Sequence, residues 1–264
     1  MRANRQGESS NGLVNFYVLR SPRISFQPAI NQRVVFFELN QPLSRLSSVG
    51  AQHRSLVSMI LWTIRHSKPY NPKDVCYGRL DFDVSPTFPE ESSKAIDAFL
   101  KTGAKPTRLY SSPLLRCMRL AEKVSEATGL PIEKKDNIIE ISFGSWEGVK
   151  LSDVPKEEMM GWQQDLRGFR FPTGENFYDV DARVSEFLDT LPDDGEFLWV
   201  SHAGVIASLQ HFACGLPDED FVEGKFSYTM VTRFDLQRNA DGHYRGTYTK
   251  IHDGIQMNPL PICK

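Results

Sequence analysis

Three stretches of this 264-residue chain carry side chains suited to an anion: Arg65-His66, Ser111-Ser112-Pro113-Leu114-Leu115-Arg116, and Ser201-His202-Ala203-Gly204. A guanidinium offers a planar fork that can donate two hydrogen bonds to one oxyanion. An imidazole titrates near neutrality and can hold or release a proton. Glu140, within Ile138-Ile139-Glu140-Ile141-Ser142-Phe143-Gly144, adds a carboxyl with the same capacity. Taken singly these features are weak. A histidine after a strand is usually structural, an arginine in a helix is usually solvated, and Gly144-Ser145-Trp146-Glu147-Gly148 reads equally well as a turn with a packed tryptophan. Their joint position carries the argument.

That position depends on the elements that hold them. Met59-Ile60-Leu61-Trp62-Thr63-Ile64 is strand-like and runs straight into Arg65-His66. Residues 89–103 set Ile96, Phe99 and Leu100 on one helical face, with Gly103 as the stop. A short strand from Thr107 to Tyr110 leads to Ser112, expected as an N-cap, and Pro113, expected at the first helical position. The helix that follows buries Cys117, Leu120, Ala121 and Val124 and closes at Gly129. Glu140 follows another β-like run. A further helix carries Phe177, Val180, Val184, Phe187 and Leu188, and the strand Phe197-Leu198-Trp199-Val200 delivers Ser201-His202 to a helix starting near Ala203. Two late β runs, near 227–236 and 244–251, flank a turn at Asn239-Ala240-Asp241-Gly242.

Strands alternating with helices predict an α/β fold, a three-layer α/β/α sandwich around a mostly parallel sheet. In such sheets a ligand sits beyond the carboxyl ends of the strands, beside helix N-termini that favour anions. Both histidines and both arginines fall there.

Composition narrows the partners. Hydrophobic residues make up 40% and charged residues 24%, ordinary for a globular chain, and the net charge of −2 recommends neither nucleic acid nor an anionic membrane. The longest apolar stretch, about Val57 to Ile64, is too short to span a bilayer. Cys76, Cys117, Cys214 and Cys263 form no CxxC pair and no metal-ligand spacing, so reduced thiols are expected and a disulfide framework is not. Residues 1–57 hold seven arginines and many serines, no lysine or aspartate, and only Glu8 and Glu38 as acids. That composition fits organelle targeting, a disordered tail, or a stretch upstream of a start at Met59. The expected organisation is therefore an N-terminal extension at 1–57 and one domain at 58–264, cytoplasmic unless the extension directs it to an organelle.

Together, Arg65-His66, Ser111-Ser112-Pro113-Leu114-Leu115-Arg116, Glu140 ahead of Phe143-Gly144-Ser145-Trp146-Glu147-Gly148, and Ser201-His202-Ala203-Gly204-Val205-Ile206 resemble the histidine phosphatase superfamily, with its phosphoglycerate-mutase-like fold. The resemblance covers about residues 59–215 in the family's order. Arg65-His66-Ser67-Lys68-Pro69, continuing through Cys76-Tyr77-Gly78-Arg79-Leu80-Asp81, is similar to the branch containing alpha-ribazole phosphatases. The resemblance implies a phosphatase acting on a small phosphomonoester through a phosphohistidine on His66. Arg65, Arg116 and His202 would bind the phosphoryl oxygens, and Glu140 would protonate the leaving group and then activate water. It implies no metal and no cofactor. Tyr77, Arg79 and Trp146 are candidates for the pocket mouth, although buried aromatics more often only pack.

Two departures from the family pattern stand out. Ser67 occupies the place where a glycine usually follows the nucleophile, and Pro72 replaces a common asparagine, with Asn71 beside it given no role. Lys68 is either a rim cation or simply solvated. Two other readings stay open: a phosphoglycerate-mutase-type transfer, and a binding or scaffold member without turnover. The 62-position spacing between Glu140 and His202 favours hydrolysis, because cofactor-dependent mutases carry a longer insert there. The presence of all five core residues weighs against a scaffold.

Overall fold

A computed structural model describes residues 58–217 and 226–255. The extension expected at 1–57, and Cys263, lie outside the described residues. The elements in chain order are β1 (Ser58–Arg65), α1 (Phe88–Lys101), β2 (Arg108–Ser111), α2 (Leu115–Thr128), β3 (Ile132–Lys134), α3 (Lys156–Gln164), α4 (Phe177–Asp189), β4 (Glu196–Ser201), α5 (Ala203–Cys214), β5 (Val231–Arg238) and β6 (Tyr244–His252). They form a six-stranded sheet in the order β3-β2-β4-β1-β5-β6. β1, β2, β3 and β4 pair in parallel, and β5 runs against both of its neighbours.

The near-continuous apolar runs of β1 and β4 are explained by burial on both faces. Successive residues point to opposite sides. Leu61, Phe197 and Trp199 join a cluster with Val184 and Phe187 of α4 and Val205 and Leu209 of α5. Trp62, Ile64, Leu198 and Val200 join a second cluster with Phe99 of α1 and Cys117, Leu120 and Val124 of α2. The two clusters make the three-layer sandwich. Among the described residues no helix is long and apolar enough to cross a membrane, and Cys76, Cys117 and Cys214 are free thiols.

Three local expectations need correction. Ser112 does not cap α2. That helix begins at Leu115, its Ncap is Leu114 in an extended conformation, and the Leu115 amide donates to Asp81 Oδ1 at 2.7 Å. A carboxylate from a distant loop thus supplies the anionic N-terminal partner, while the Ser112 amide prolongs the sheet by donating to Val200 O at 3.0 Å. Glu140 follows a single 3₁₀ turn, Asp136–Ile138, and not a strand. The run near 227–236 becomes strand only from Val231. Thr229 has a positive φ of 59° and its amide donates to His66 O at 3.2 Å, so the chain turns there before pairing.

Between Glu140 and β4 the insert adds a group of aromatic rings to the first cluster. The Phe171 ring lies 5.0 Å from Trp146, 5.8 Å from Trp162 and 4.8 Å from Phe143, in edge-to-face or tilted contacts. α4 then starts with a capping box, Asn176 accepting from the Asp179 amide and Asp179 accepting from the Asn176 amide. Phe171 is fully buried. Phe171→Ala is expected to cost about 3–5 kcal/mol in urea denaturation, as for other large-to-small core changes.

Candidate active site

The parallel pairing of β1 with β4 sets the site. Arg65 lies opposite Ser201, and the ladder continues one step further, with the His66 amide donating to Ser201 O at 2.9 Å. The residue after each of these two strands is a histidine, and the His66 and His202 ring centroids lie 5.1 Å apart. β2 flanks β4 on the other side and ends at Ser111 opposite Val200, which carries Arg116 into the first turn of α2 at the same edge. His66, His202, Arg65, Arg116 and Glu140 are therefore brought together, all nearly or fully buried. The His202 ring faces His66 on one side and has the Cys117 sulfur of the second cluster 3.4 Å from its Nε2.

The two ring nitrogens of His66 are in different situations. Nδ1 lies 2.7 Å from Ser67 O. A carbonyl oxygen only accepts, so Nδ1 carries the proton and Nε2 keeps its lone pair. Nε2 has no hydrogen-bond partner among the described residues. Burial holds the His66 pKa well below 6.5, and the Arg116 and Arg65 charges push it further down. His202 is lowered in the same direction, first by burial and then by Arg116, and its Nε2 lies 2.7 Å from Ser112 Oγ. Both rings are neutral near neutral pH.

Positive charge comes from the arginines. Arg116 Nη2 donates to Gly78 O at 2.6 Å and Nη1 to Leu80 O at 2.9 Å, carbonyls rather than carboxylates, so its charge is solvated but not cancelled. Arg65 Nη1 donates to Phe226 O, and its guanidinium lies 4.3 Å from the centre of the Tyr228 ring. Glu140 Oε1 accepts from the Ile141 amide at 3.0 Å and the Gly204 amide at 3.1 Å. A β-carbon on Gly204 would stand 2.4 Å from that oxygen, so only glycine lets the start of α5 approach the carboxyl this closely. Burial raises the Glu140 pKa above 4.5, against the opposing pull of Arg116. Its Oε2 lies 4.0 Å from His202 Nδ1.

The donor atoms of His66, Glu140 and His202 lie within 4.8 Å of one another, close enough to ligate a metal ion. The two adjoining guanidiniums, whose charges already depress both histidines, oppose a divalent cation there and favour an anion.

Of the three mouth candidates, Tyr77 borders the site: its hydroxyl lies 3.2 Å from that of Tyr228, and the Arg116 guanidinium lies 5.0 Å from the centre of its ring. Arg79 lies beside Glu140, donating from Nε to Glu140 O at 3.1 Å and from Nη2 to Glu175 Oε1 at 2.8 Å. Trp146 is elsewhere. Its indole is buried in the aromatic cluster of the insert and donates to Glu158 at 2.6 Å, so it packs and does not line the mouth. Lys68 is exposed, and Asn71 only closes a local turn with Val75. Ser67 is fully buried and contributes its carbonyl to His66.

Ser112, Tyr228 and Glu175 also adjoin the site, although the sequence assigns none of them an individual role there. Ser112 has a visible signal, a hydroxyl at a strand end, but that signal fits a helix cap equally well. Tyr228 and Glu175 reach the site through turns whose geometry leaves no periodic trace. The cationic pocket predicts anion binding: Arg116→Ala should weaken inorganic phosphate by roughly ten- to a hundredfold in calorimetry, the worth of about 1.5–3 kcal/mol for a charged hydrogen bond.

Comparison with known proteins agrees with this geometry. A profile of the histidine phosphatase superfamily (branch 1) matches residues 61–243. Phosphoserine phosphatase 1 of Hydrogenobacter thermophilus is 30% identical over 138 residues, covering 51% of this chain and 64% of the relative. Glucosyl-3-phosphoglycerate phosphatase of Mycolicibacterium vanbaalenii is 27% identical over 194 residues, covering 68% of this chain and 85% of the relative. Among solved structures, an Escherichia coli protein assigned as an alpha-ribazole-5'-P phosphatase superposes with a TM-score of 0.60 at 22% identity, over 76% of this chain and 99% of that one. The match spans well over half of the sequence and includes every strand-end residue described above: the chain belongs to the histidine phosphatase superfamily, branch 1, and is a phosphatase.

Proposed function

We propose that the protein hydrolyses a small phosphomonoester without a metal ion, through a covalent phosphohistidine on His66. The observation that carries this reading is the His66 ring itself, with its proton fixed on Nδ1 by Ser67 O and its Nε2 without a hydrogen bond among the described residues, beside two buried guanidiniums.

In the first step the Nε2 lone pair attacks phosphorus, the P–N bond forms, and the bond from phosphorus to the leaving-group oxygen breaks. Glu140, its carboxyl favoured in the protonated form by burial, gives its proton to that oxygen. In the second step water attacks phosphorus, Glu140 takes the proton back, the P–N bond breaks, and inorganic phosphate leaves. Arg65, Arg116 and His202 hold the phosphoryl oxygens throughout, which stabilises charge in the transition state where a metal would otherwise be needed. Acid–base assistance of this kind is worth about 10²–10⁴ in rate.

Tyr77 and Arg79 border the side from which a leaving group would project. A ring-bearing or base-like leaving group, as in alpha-ribazole 5'-phosphate, suits a tyrosine face and a guanidinium, and the resemblance of the Cys76–Asp81 stretch supports that substrate. A small sugar or organic acid phosphate is the other substrate class compatible with this rim.

Two results test the reading. Acid-quenched wild-type protein given labelled substrate should retain label as a phosphohistidine, and His66→Ala should retain none and lose about 10³–10⁶ in kcat. Equal rates for the two proteins exclude the mechanism. The pH profile of kcat/KM should be bell-shaped. His66 must be unprotonated to attack, so activity rises with pH through its lowered pKa, placing the acidic limb below 6.5. Glu140 must be protonated to assist departure, so activity falls as pH passes its raised pKa, placing the basic limb above 4.5. Glu140→Gln should remove the basic limb.

A further inference from the structure

The segment that carries Glu140 has little regular structure of its own. It consists of one 3₁₀ turn at Asp136–Ile138, an extended stretch, and a second 3₁₀ turn at Gly144–Trp146. An acid on such a segment wanders unless other groups fix the backbone on both sides of it, and a displacement near 1 Å can cost on the order of 10²-fold in rate.

One carboxylate organises that fixing. Glu175 Oε1 accepts from Arg79 Nη2 at 2.8 Å and Arg183 Nε at 3.2 Å, and its Oε2 accepts from Arg183 Nη2 at 3.3 Å and the Ser142 amide at 3.0 Å. Each arginine then reaches the Glu140 segment. Arg183 Nη1 donates to Asn137 O at 2.7 Å, and the Asn137 side chain donates back to Arg183 O at 3.2 Å. Arg79 Nε donates to Glu140 O at 3.1 Å. Three main-chain groups, at residues 137, 140 and 142, are thus tied to a single anion and its two cations.

Glu175 is itself held by main chain. Its amide donates to Ser142 O at 3.0 Å, and the Ser145 amide donates to Pro172 O at 2.9 Å. This zipper needs glycine on both segments: a β-carbon on Gly174 would lie 2.5 Å from Ser142 O, and one on Gly144, at a φ of 55°, would lie 2.0 Å from Pro172 O. The Glu175 and Arg183 side chains are only 19% and 15% exposed, and Arg79 is 37% exposed. Charged hydrogen bonds in such a setting are less screened than at an open surface.

We propose that Glu175, bridging Arg79 and Arg183, is a positioning residue that aims the Glu140 carboxyl at the leaving-group oxygen. The proposal rests on the phosphohistidine reading above and adds a task for the insert between the acid and the second histidine. Its task is distinct from phosphate binding, because none of the Glu175 contacts described here goes to His66, Arg65, Arg116 or His202.

Leaving-group dependence isolates this role. The constant kcat/KM reports only steps up to formation of the phosphohistidine. An alkyl phosphomonoester expels a basic alkoxide and needs the proton from Glu140, whereas p-nitrophenyl phosphate expels a weakly basic phenolate and needs it far less. Glu175→Gln should lower kcat/KM for an alkyl substrate about tenfold more than for p-nitrophenyl phosphate. Arg183→Lys, which keeps the charge but loses the fork that spans Glu175 and Asn137 O, should show the same selective loss and serves as the readout if Glu175→Gln does not fold. Equal falls on both substrates, or no fall on either, in a folded variant would overturn the proposal. Failure of the underlying mechanism looks different: His66→Ala would then match the wild type on both substrates.

Discussion

The parallel register between β1 and β4 is the constraint from which the site follows. Neither histidine is near the other in sequence, and 136 positions separate them. Backbone hydrogen bonds between the two central strands nevertheless set Arg65 opposite Ser201 and leave the following histidines as neighbours at the sheet edge. A slip of one residue in either strand would turn its side chains to the opposite faces, taking Leu61 out of one core and Trp62 out of the other. The apolar packing that stabilises the sheet therefore also sets the distance between the two imidazoles.

Burying two guanidiniums beside two imidazoles is costly unless their donors are occupied. The protein limits that cost with neutral acceptors. Arg116 is solvated by the carbonyls of Gly78 and Leu80, and the loop that supplies them is pinned at the start of α2 by the Asp81 carboxylate. Burial is the first cause that keeps both histidines unprotonated, and because carbonyls satisfy hydrogen bonds without cancelling charge, the guanidiniums add to it. The same burial moves Glu140 the other way, toward its protonated form. One desolvated pocket thus pushes the nucleophile toward its neutral form and the acid toward its protonated form.

The insert between Glu140 and β4 combines two kinds of cohesion. Its outer part is held by rings, with Trp146, Trp162, Phe169 and Phe171 packed on one another. Its inner edge, at Pro172 to Glu175, is joined to the Glu140 segment by main-chain hydrogen bonds and by the Arg79–Glu175–Arg183 bridge. The aromatic rings pack the insert together, and the polar edge ties it to the segment that carries the acid.

By itself the sequence determined the strands and helices that repeat a strong pattern, because burial on both faces of β1 and β4 and on one face of α2, α4 and α5 leaves a periodic apolar signature. It also placed Arg65, His66, Arg116 and His202 toward one edge of a parallel sheet, while Glu140, after a 3₁₀ turn and not at a strand end, stood out only through the family resemblance. Trp146 was undecidable there: a large ring before a turn has the same local pattern whether it faces substrate or core, and only the packing of Phe171 and Trp162 around it decides for the core. Ser112 likewise fits a helix cap in the sequence, until β4 brings His202 within reach of its hydroxyl. Tyr228 and the contacts of Glu175 with Arg79 and Arg183 belong wholly to the tertiary structure. Turns at Thr229 and at Pro172 to Glu175 bring them to the site through single backbone hydrogen bonds and close glycine contacts, and such contacts between distant segments have no period for a sequence to display.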